Sequence, residues 1–224
     1  MFNNYFLRAT FVAILISSPV AFSQTLEEVV VTAQIREQSL QDVPISVSAI
    51  DGEVIEDRSV DNLQSLSASV PNFYVAETQI DTSISIRGVR SGANKGFEQS
   101  VPLNFDGVTY PRSQLARTPL VDLERIEVLR GPQPTLFGKN AIGGVVSVTS
   151  AKPTEEFEGK FSTSHESEHD ESQSLLVLSG PLSETLLGRL TVSTREMDGW
   201  IINERMKRLE PQRDETYIRG QLAW

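Results

Sequence analysis

The chain has 224 residues, of which 30 are acidic and 20 basic, so its formal net charge at neutral pH is −10. We expect no nucleic-acid partner, because neutralising phosphates requires a basic face. The chain contains no cysteine, which excludes disulfide bonds and thiolate metal sites.

The first 23 residues have the pattern of a secretory signal. Arg8 is the only charged residue before Glu27, and the apolar run Ala9–Ile16 has the length of a signal-peptide core. Small residues at Ala21 and Ser23 predict cleavage after Ser23. The alternative is an apolar helix of the folded core. No later segment is long and apolar enough for a transmembrane helix, so any membrane insertion must use strands closed into a barrel.

A short strand is predicted soon after the cleavage site. The valines Val29–Val31 favour an extended conformation within the segment Glu28–Ala33. The strand is either paired inside the domain or kept free for a partner to pair with by β-augmentation. The polar segment Gln34–Ser39 that follows is typical of a tether, which favours the free strand.

The next segment predicts one strand and two short helices. Apolar and polar residues alternate over Leu40–Ile50, which indicates a half-buried strand. One or two helical turns are expected over Glu53–Arg58. Asp61 is predicted to cap a second helix, which ends at Pro71. The core-facing residues of this helix are Leu63, Leu66 and Val70.

Two more strands are predicted further along. The segment Ser83–Arg90 contains Ile-Arg-Gly, and Val101–Val108 alternates and closes on Asp-Gly, a hairpin signal. Between them, Ser91–Ser100 is polar and is predicted to be a loop.

The segment Arg125–Pro153 reads R-I-E-V-L-R-G-P-Q-P-T-L-F-G-K-N-A-I-G-G-V-V-S-V-T-S-A-K-P. It predicts a strand, then an irregular loop rather than a helix, then a second strand over Val145–Ser150. In the first strand, Ile126 and Val128 share one face and Glu127 and Leu129 the other. A phosphate-binding loop is the alternative explanation of the glycines, but neither its spacing nor its magnesium-binding hydroxyl is present.

This segment closely resembles the end of the plug domain of TonB-dependent outer-membrane receptors, which has the form I-E-V-L-R-G-P-x-x-x-L-F/Y-G-x-x-A-x-G-G-V-I-N-V. The segments Ser83–Arg90 and Val101–Val108 are also similar to strands of this family, so the resemblance covers Glu27 to about Pro153. It implies an α+β plug, with a small mixed sheet and short helices, over residues 40–153. Before the plug it implies a signal at 1–23 and, at 24–39, a tether and the TonB box, which is the segment that the energy-coupling protein TonB binds. Pro134 stands where many relatives have glycine, and proline could not supply a positive φ there.

The resemblance also implies function. The plug gates a barrel in the cell outer membrane, and the protein TonB energises uptake of a scarce extracellular nutrient such as a ferric siderophore. The implied TonB-binding residues are Glu28, Val29, Val30, Val31, Thr32 and Ala33. The implied plug–barrel contacts are Arg87, Glu127 and Arg130. The residues predicted on substrate-facing loops are Tyr74, Gln79, Arg90, Asn94 and Phe97. Because no domain of several tens of residues precedes the TonB box in this sequence, we expect no role in signalling to transcription.

Beyond residue 154 the pattern is that of a transmembrane barrel in contact with lipid. Strands of about ten residues with one apolar and one polar face are typical of such barrels. The candidates are Phe157–His165, Ser172–Ser179, Leu186–Arg195 and Glu215–Trp224. The short connection Gly180–Thr185 fits a periplasmic turn, the long charged stretch Glu196–Asp214 fits an extracellular loop, and Trp224 fits an aromatic girdle.

No catalytic, cofactor or metal site is predicted. The chain has no G-x-S-x-G motif, no cysteine nucleophile and no helical H-E-x-x-H. His165 and His169 are four residues apart among acids, but between strands they predict a hairpin tip rather than a metal site.

About four barrel strands are predicted, whereas closure requires at least ~8 strands and receptors of this type use about 22. We therefore expect this chain to be incapable of transport alone. It would be a fragment of a longer receptor, a truncated product, or a soluble periplasmic plug-like protein that binds a substrate or TonB.

Overall fold

The structure is a computed structural model that describes residues 30–31, 38–39, 44–77, 82–91, 98–168 and 170–224. A short antiparallel hairpin, β1 (Val30–Val31) with β2 (Gln38–Ser39), precedes two larger units. In these described ranges, no helix is both long and apolar enough to cross a membrane.

The first unit, which we call the plug, comprises the elements from residue 46 to residue 150. In chain order they are β3 (Ser46–Asp51), α1 (Gly52–Asp57), α2 (Leu63–Ser67), β4 (Phe73–Glu77), β5 (Thr82–Ile86), β6 (Val89–Arg90), β7 (Leu103–Phe105), β8 (Val108–Tyr110), a 3-10 helix (Ser113–Arg117), β9 (Leu123–Arg130), α3 (Pro134–Phe137) and β10 (Gly144–Ser150). A five-stranded mixed sheet has the order β3-β9-β10-β7-β8, and β4-β5-β6 form a second sheet. This is the predicted α+β plug.

Strand β9 lies inside the main sheet of the plug, where it pairs antiparallel with β3 on one edge and β10 on the other. Its two faces contact two different apolar clusters. Ile126 and Val128 belong to the larger cluster, between the sheet and the helices, and Leu129 belongs to the smaller one. The predicted division of this strand into two faces is confirmed, and both faces are buried.

The predicted cap of the second helix is wrong by one residue. Asn62, not Asp61, is the N-cap: its Oδ1 accepts a hydrogen bond from the Ser65 amide at 2.8 Å, and the Ser65 Oγ accepts one from the Asn62 amide at 3.3 Å. This reciprocal pair satisfies two amides at the start of the helix. The Asp61 carboxylate accepts from the Asn62 side chain instead. The helix also ends at Ser67, before Pro71.

The loop between β9 and β10 contains the short helix α3, which the sequence did not predict. Pro134 occupies its first turn, where the absent amide hydrogen costs nothing because such an amide has no partner within the helix. The positive φ values between β9 and β10 are at Gly131, with φ of 104°, and Gly138, with φ of 89°. Pro134 therefore fits the local geometry, and the predicted conflict does not arise.

The second unit, the wall sheet, is antiparallel and has the order β11 (Glu158–Glu166), β12 (Glu171–Pro181), β13 (Leu187–Met197) and β16 (Arg213–Ala223). All four predicted strands are confirmed. The long connection before β16 contains a small hairpin, β14 (Ile201–Asn203) with β15 (Arg208–Glu210), where a loop was expected.

The wall sheet has a polar face towards the plug and an apolar face towards the surroundings. The exposed apolar residues of the outer face include Phe161, Leu178, Leu190, Ile218 and Leu222. On the inner face of β13, Arg189, Thr191, Ser193 and Arg195 alternate with them, as predicted.

Candidate functional site

Asp122 is the centre of the contact between the plug and the wall sheet. It lies just before β9, it is 6% exposed, and its φ of 55° places it in the left-handed region. Aspartate is one of the few residues that adopt this conformation readily, because its short side chain can hydrogen-bond locally. The side chain extends away from the plug towards the wall sheet.

Three wall side chains hydrogen-bond the Asp122 carboxylate. Oδ2 accepts from the Arg189 Nε at 3.0 Å and from an Arg219 Nη2 at 2.8 Å, and the Thr191 hydroxyl also donates to it. Arg189 additionally donates to the Lys152 carbonyl at 3.2 Å. A carboxylate this buried is stable only when paired and fully hydrogen-bonded, which this arrangement achieves.

The pKa of Asp122 lies below its ordinary value. Burial by itself raises the pKa of this carboxyl, but the hydrogen bonds from Arg189 and Thr191 and the charges of Arg189 and Arg219 act in the opposite direction and outweigh it. Asp122 is therefore ionised at neutral pH, and the contact is a charged one.

Two further ion pairs join the units with the same polarity. Glu56 of the plug pairs with Lys160 of β11, and Asp61 pairs with Arg195 of β13. The plug supplies the acids and the wall sheet supplies the bases at all three places. An apolar contact completes the interface, in which Val121 packs with Leu175, Val177 and Tyr217.

The predicted plug–barrel contacts Glu127 and Arg130 make their described bonds inside the plug. Glu127 is fully buried, and its Oε1 accepts from the Arg125 Nε at 2.9 Å. Arg130 donates to the Ser48 Oγ at 2.9 Å. Their contact with a barrel wall stays a prediction. The residues that contact the wall sheet, Asp122 above all, were missed by the sequence analysis.

Three other predicted residues, Tyr74, Arg87 and Arg90, lie close together at the second plug sheet. Tyr74 and Arg90 are on the same face of this sheet, because both are paired with Ser85 of the strand between them. Arg87 lies at the turn beside them, and the group lines a groove of ≈ 510 Å³. Arg87 is thus grouped with Tyr74 and Arg90, not with Glu127 and Arg130. Gln79, Asn94 and Phe97 lie outside the described residues.

At one edge of the plug, residues 98–100 and residues 139–143 are joined by hydrogen bonds. This is the edge at which the parallel strands β7 and β10 begin. The amides of Ile142 and Gly143 both donate to the Ser100 carbonyl, at 3.1 and 2.9 Å. Glu98 accepts from Asn140 and lies 3.4 Å from the Lys139 Nζ. The Asn140 hydrogen bond, with the nearby Lys139 and Arg112 charges, lowers the pKa of Glu98.

The predicted TonB box is only partly described. Val30 and Val31 form β1, which pairs with Gln38 and Ser39 of the predicted tether. The strand is therefore paired with the tether, whereas a free strand was expected. Glu28, Val29, Thr32 and Ala33 lie outside the described residues, and binding to TonB stays a prediction.

Comparison with known proteins agrees with this architecture. The family model "TonB-dependent Receptor Plug Domain" matches residues 39–145. An iron-regulated outer membrane virulence protein of Vibrio cholerae is 34% identical over 201 residues, which are 82% of this chain and 30% of that protein. This chain belongs to the TonB-dependent receptors.

Two more similar proteins differ in the substrates that their names give. The vitamin B12 transporter BtuB of Vibrio vulnificus is 29% identical over 185 residues, 81% of this chain and 30% of that protein. The crystal structure of the ferric yersiniabactin uptake receptor FyuA from Yersinia pestis superposes with a TM-score of 0.72 and 27% identity, over 80% of this chain and 28% of that one. The chain spans less than a third of the length of these relatives.

Membership of the TonB-dependent receptors confirms the predicted family, the fold class and the assignment to the cell outer membrane. No group of three or more potential metal-ligating side chains was found in the part of the chain that the structure describes. His165 lies in β11, and His169 is outside the described residues.

Proposed function

We propose that this chain works as the plug-bearing part of a receptor for the energised uptake of a scarce nutrient through the outer membrane, with the plug gating the passage. The observation that carries the proposal is the packing of the plug, through buried charges, on the polar face of a sheet whose other face is apolar and exposed. A lipid-facing wall with a polar lumen has this distribution of side chains. The relatives support a role in transport rather than in catalysis.

We infer that the substrate is an iron chelate of the siderophore class. The names of an iron-regulated Vibrio cholerae relative and of a ferric yersiniabactin receptor support iron over vitamin B12. On the substrate side we propose Tyr74, Gln79, Arg90, Asn94 and Phe97, as predicted from the loops, together with the edge formed by residues 98–100 and 139–143.

Energy would reach the plug through the segment Glu28–Ala33 and TonB. An extended backbone can add a strand to a partner sheet, and each added hydrogen bond contributes about 1 kcal/mol net. Because β1 already pairs with residues 38–39, one of its two edges is occupied, and TonB would bind the other edge or displace β2.

Uptake of radioactive iron chelates by living cells tests this function. The gene would be deleted and restored in strains with and without TonB, under iron limitation. We expect uptake only in the restored strain that has TonB. Equal uptake in the deleted and restored strains would rule out the function, and equal uptake without TonB would rule out the coupling.

The alternative, a soluble periplasmic protein that binds a plug substrate or TonB, is not favoured, because a relative that matches most of this chain is named as an outer membrane protein. Cell fractionation separates the two: recovery of the protein in the soluble periplasmic fraction would support the alternative.

A further inference from the structure

An apolar groove lies on the outer face of the wall sheet, beside the short connection between β12 and β13. Its volume of ≈ 470 Å³ is within the range of roughly 300–1,000 Å³ that small-molecule sites occupy. Three strands line it with leucines, which are Leu178, Leu190 and Leu222. Phe157, just before β11, and Leu182, in the short connection, line it from beside the sheet. An exposed apolar surface of this kind indicates a place where an apolar partner binds.

Glycines form the floor of this groove. Gly180 and Gly188 lie directly opposite each other in the β12–β13 pair. The Leu182 side chain already lies over Gly188, because a Cβ added to this glycine would be 2.7 Å from the Leu182 Cδ1. Gly220 lies opposite Leu190 in the β13–β16 pair. Among the described residues, apart from the two chain neighbours of Gly220, no atom lies within 4 Å of a Cβ added there. The groove is therefore open beside Gly220.

The groove is continuous with the surface that faces lipid. The next row of outward side chains along the four strands is entirely apolar and consists of Phe161, Leu176, Val192 and Ile218. Because the TonB-dependent receptors lie in the outer membrane, hydrocarbon chains surround this face. An unfilled groove loses dispersion contacts, and lipid tails are as apolar as leucine. A flexible acyl chain can follow a groove of irregular width, so the surroundings supply an occupant of the right chemistry.

The rim of the groove carries exposed acids. Glu156 immediately precedes Phe157, and Glu184 lies in the short connection, two residues after Leu182. Neither carboxylate forms an ion pair in the part of the chain that the structure describes. Carboxylates attract an ammonium group and repel a phosphate that carries no compensating cation. The rim therefore favours a zwitterionic head group over an anionic one.

We propose that this groove binds a phospholipid with a primary ammonium head group, phosphatidylethanolamine, from the periplasmic leaflet of the outer membrane. One acyl chain lies over Gly220, beside Leu190 and Leu222, and the ammonium group lies near Glu156 and Glu184. The leaflet follows from the short connection, which is typical of the periplasmic end of such a sheet. The inference rests on the outer-membrane location and not on the uptake function.

Filling the groove tests the acyl-chain site. The protein would be extracted from outer membranes in detergent and titrated with phosphatidylethanolamine, with bound lipids counted by native mass spectrometry. Gly220→Leu places a side chain in the open part of the groove, where φ is not positive and the new Cβ meets no atom. We expect one bound lipid on the native protein and at least fivefold weaker binding to this variant. The matched control Thr216→Leu adds a leucine to the same face of β16 outside the groove and should change binding less than twofold. Equal binding by the two variants would show surrounding lipid only and would overturn the proposal.

Exchanging the rim charges tests the head group without altering the groove. The native protein should bind phosphatidylethanolamine at least threefold more tightly than phosphatidylglycerol with the same acyl chains. The double substitution Glu156→Gln and Glu184→Gln should abolish this preference, because it removes the carboxylates that attract the ammonium group. Glu204→Gln, in the distant connection between β14 and β15, is the control and should keep it. Equal affinity of the native protein for the two lipids would contradict the assigned head group.

The same spectra distinguish other occupants. A dimer that replaces the bound lipid and is lost in Gly220→Leu would make a second copy of the chain the occupant and would overturn the proposal. Retention of lipopolysaccharide in place of phosphatidylethanolamine would contradict the assigned leaflet. Because uptake is not measured, a failure of the proposed function would not change any of these results.

Discussion

The Asp122 carboxylate accepts a hydrogen bond from the Arg189 Nε at 3.0 Å, although 67 residues separate them in the chain. The same carboxylate binds Arg219, 97 residues away. Because both arginine side chains are nearly buried, Asp122 is the countercharge for two cations.

Asp122→Asn should therefore loosen the plug from the wall sheet. The change removes the carboxylate that directly pairs with two nearly buried guanidinium groups, and breaking a buried ion pair in this way costs about 3–5 kcal/mol. We expect a free energy of unfolding lower by that order, and faster proteolysis of the plug in the purified protein. The matched control is Asp57→Asn, on the exposed end of α1, which should change stability by less than about 0.5 kcal/mol. Equal stability of the two variants would contradict the assigned role of Asp122.

The acid dependence of stability should also depend on Asp122. Its folded-state pKa is lowered, so the carboxylate contributes its full stabilisation above the unfolded-state pKa of about 3.9 and loses it as the pH falls through the lower folded-state pKa. The difference in unfolding free energy between the native protein and Asp122→Asn should be constant near neutral pH and shrink below about pH 4. If this difference in unfolding free energy grew on acidification, the lowered pKa of Asp122 would be contradicted.

The sequence predicted the wall-sheet side of this interface but not the plug side. Alternation over β13 correctly put Arg189, Thr191 and Arg195 on one face, because strand periodicity is a local property. Asp122 has no such signal: it precedes a strand in the sequence V-D-L-E-R, and its partners are brought near only by the tertiary fold. The motif from Ile126 to Val146 predicted strands β9 and β10, because many of its residues match a family pattern at fixed spacing.

The helix cap illustrates a second limit. Asp61 and Asn62 are adjacent and both are good cap residues, so composition alone could not choose between them. The structure gives the cap to Asn62 and leaves Asp61 to pair with Arg195. The tertiary structure, and not the local sequence, distinguishes the residue that caps the helix from the one that pairs with the wall sheet.

Asn62→Ala should lower the free energy of unfolding by about 1 kcal/mol, because the Ser65 amide loses its acceptor. The control is Gln64→Ala, two residues after Asn62 on the exposed face of α2, and it should leave the free energy of unfolding nearly unchanged. Chemical denaturation of the two variants measures the difference. If only Gln64→Ala destabilised the protein, the assigned cap would be wrong.

Energy coupling is the central functional claim, and Val30→Pro tests it most directly. Proline removes an amide donor from β1 and distorts the strand, whereas Gln34→Pro, outside the predicted box, is the matched control. Iron-chelate uptake, chelate binding and protein level would be measured in cells that have TonB. The account predicts at least a tenfold loss of uptake for Val30→Pro, with binding and protein level unchanged and the control close to native. Native uptake by Val30→Pro would contradict the account.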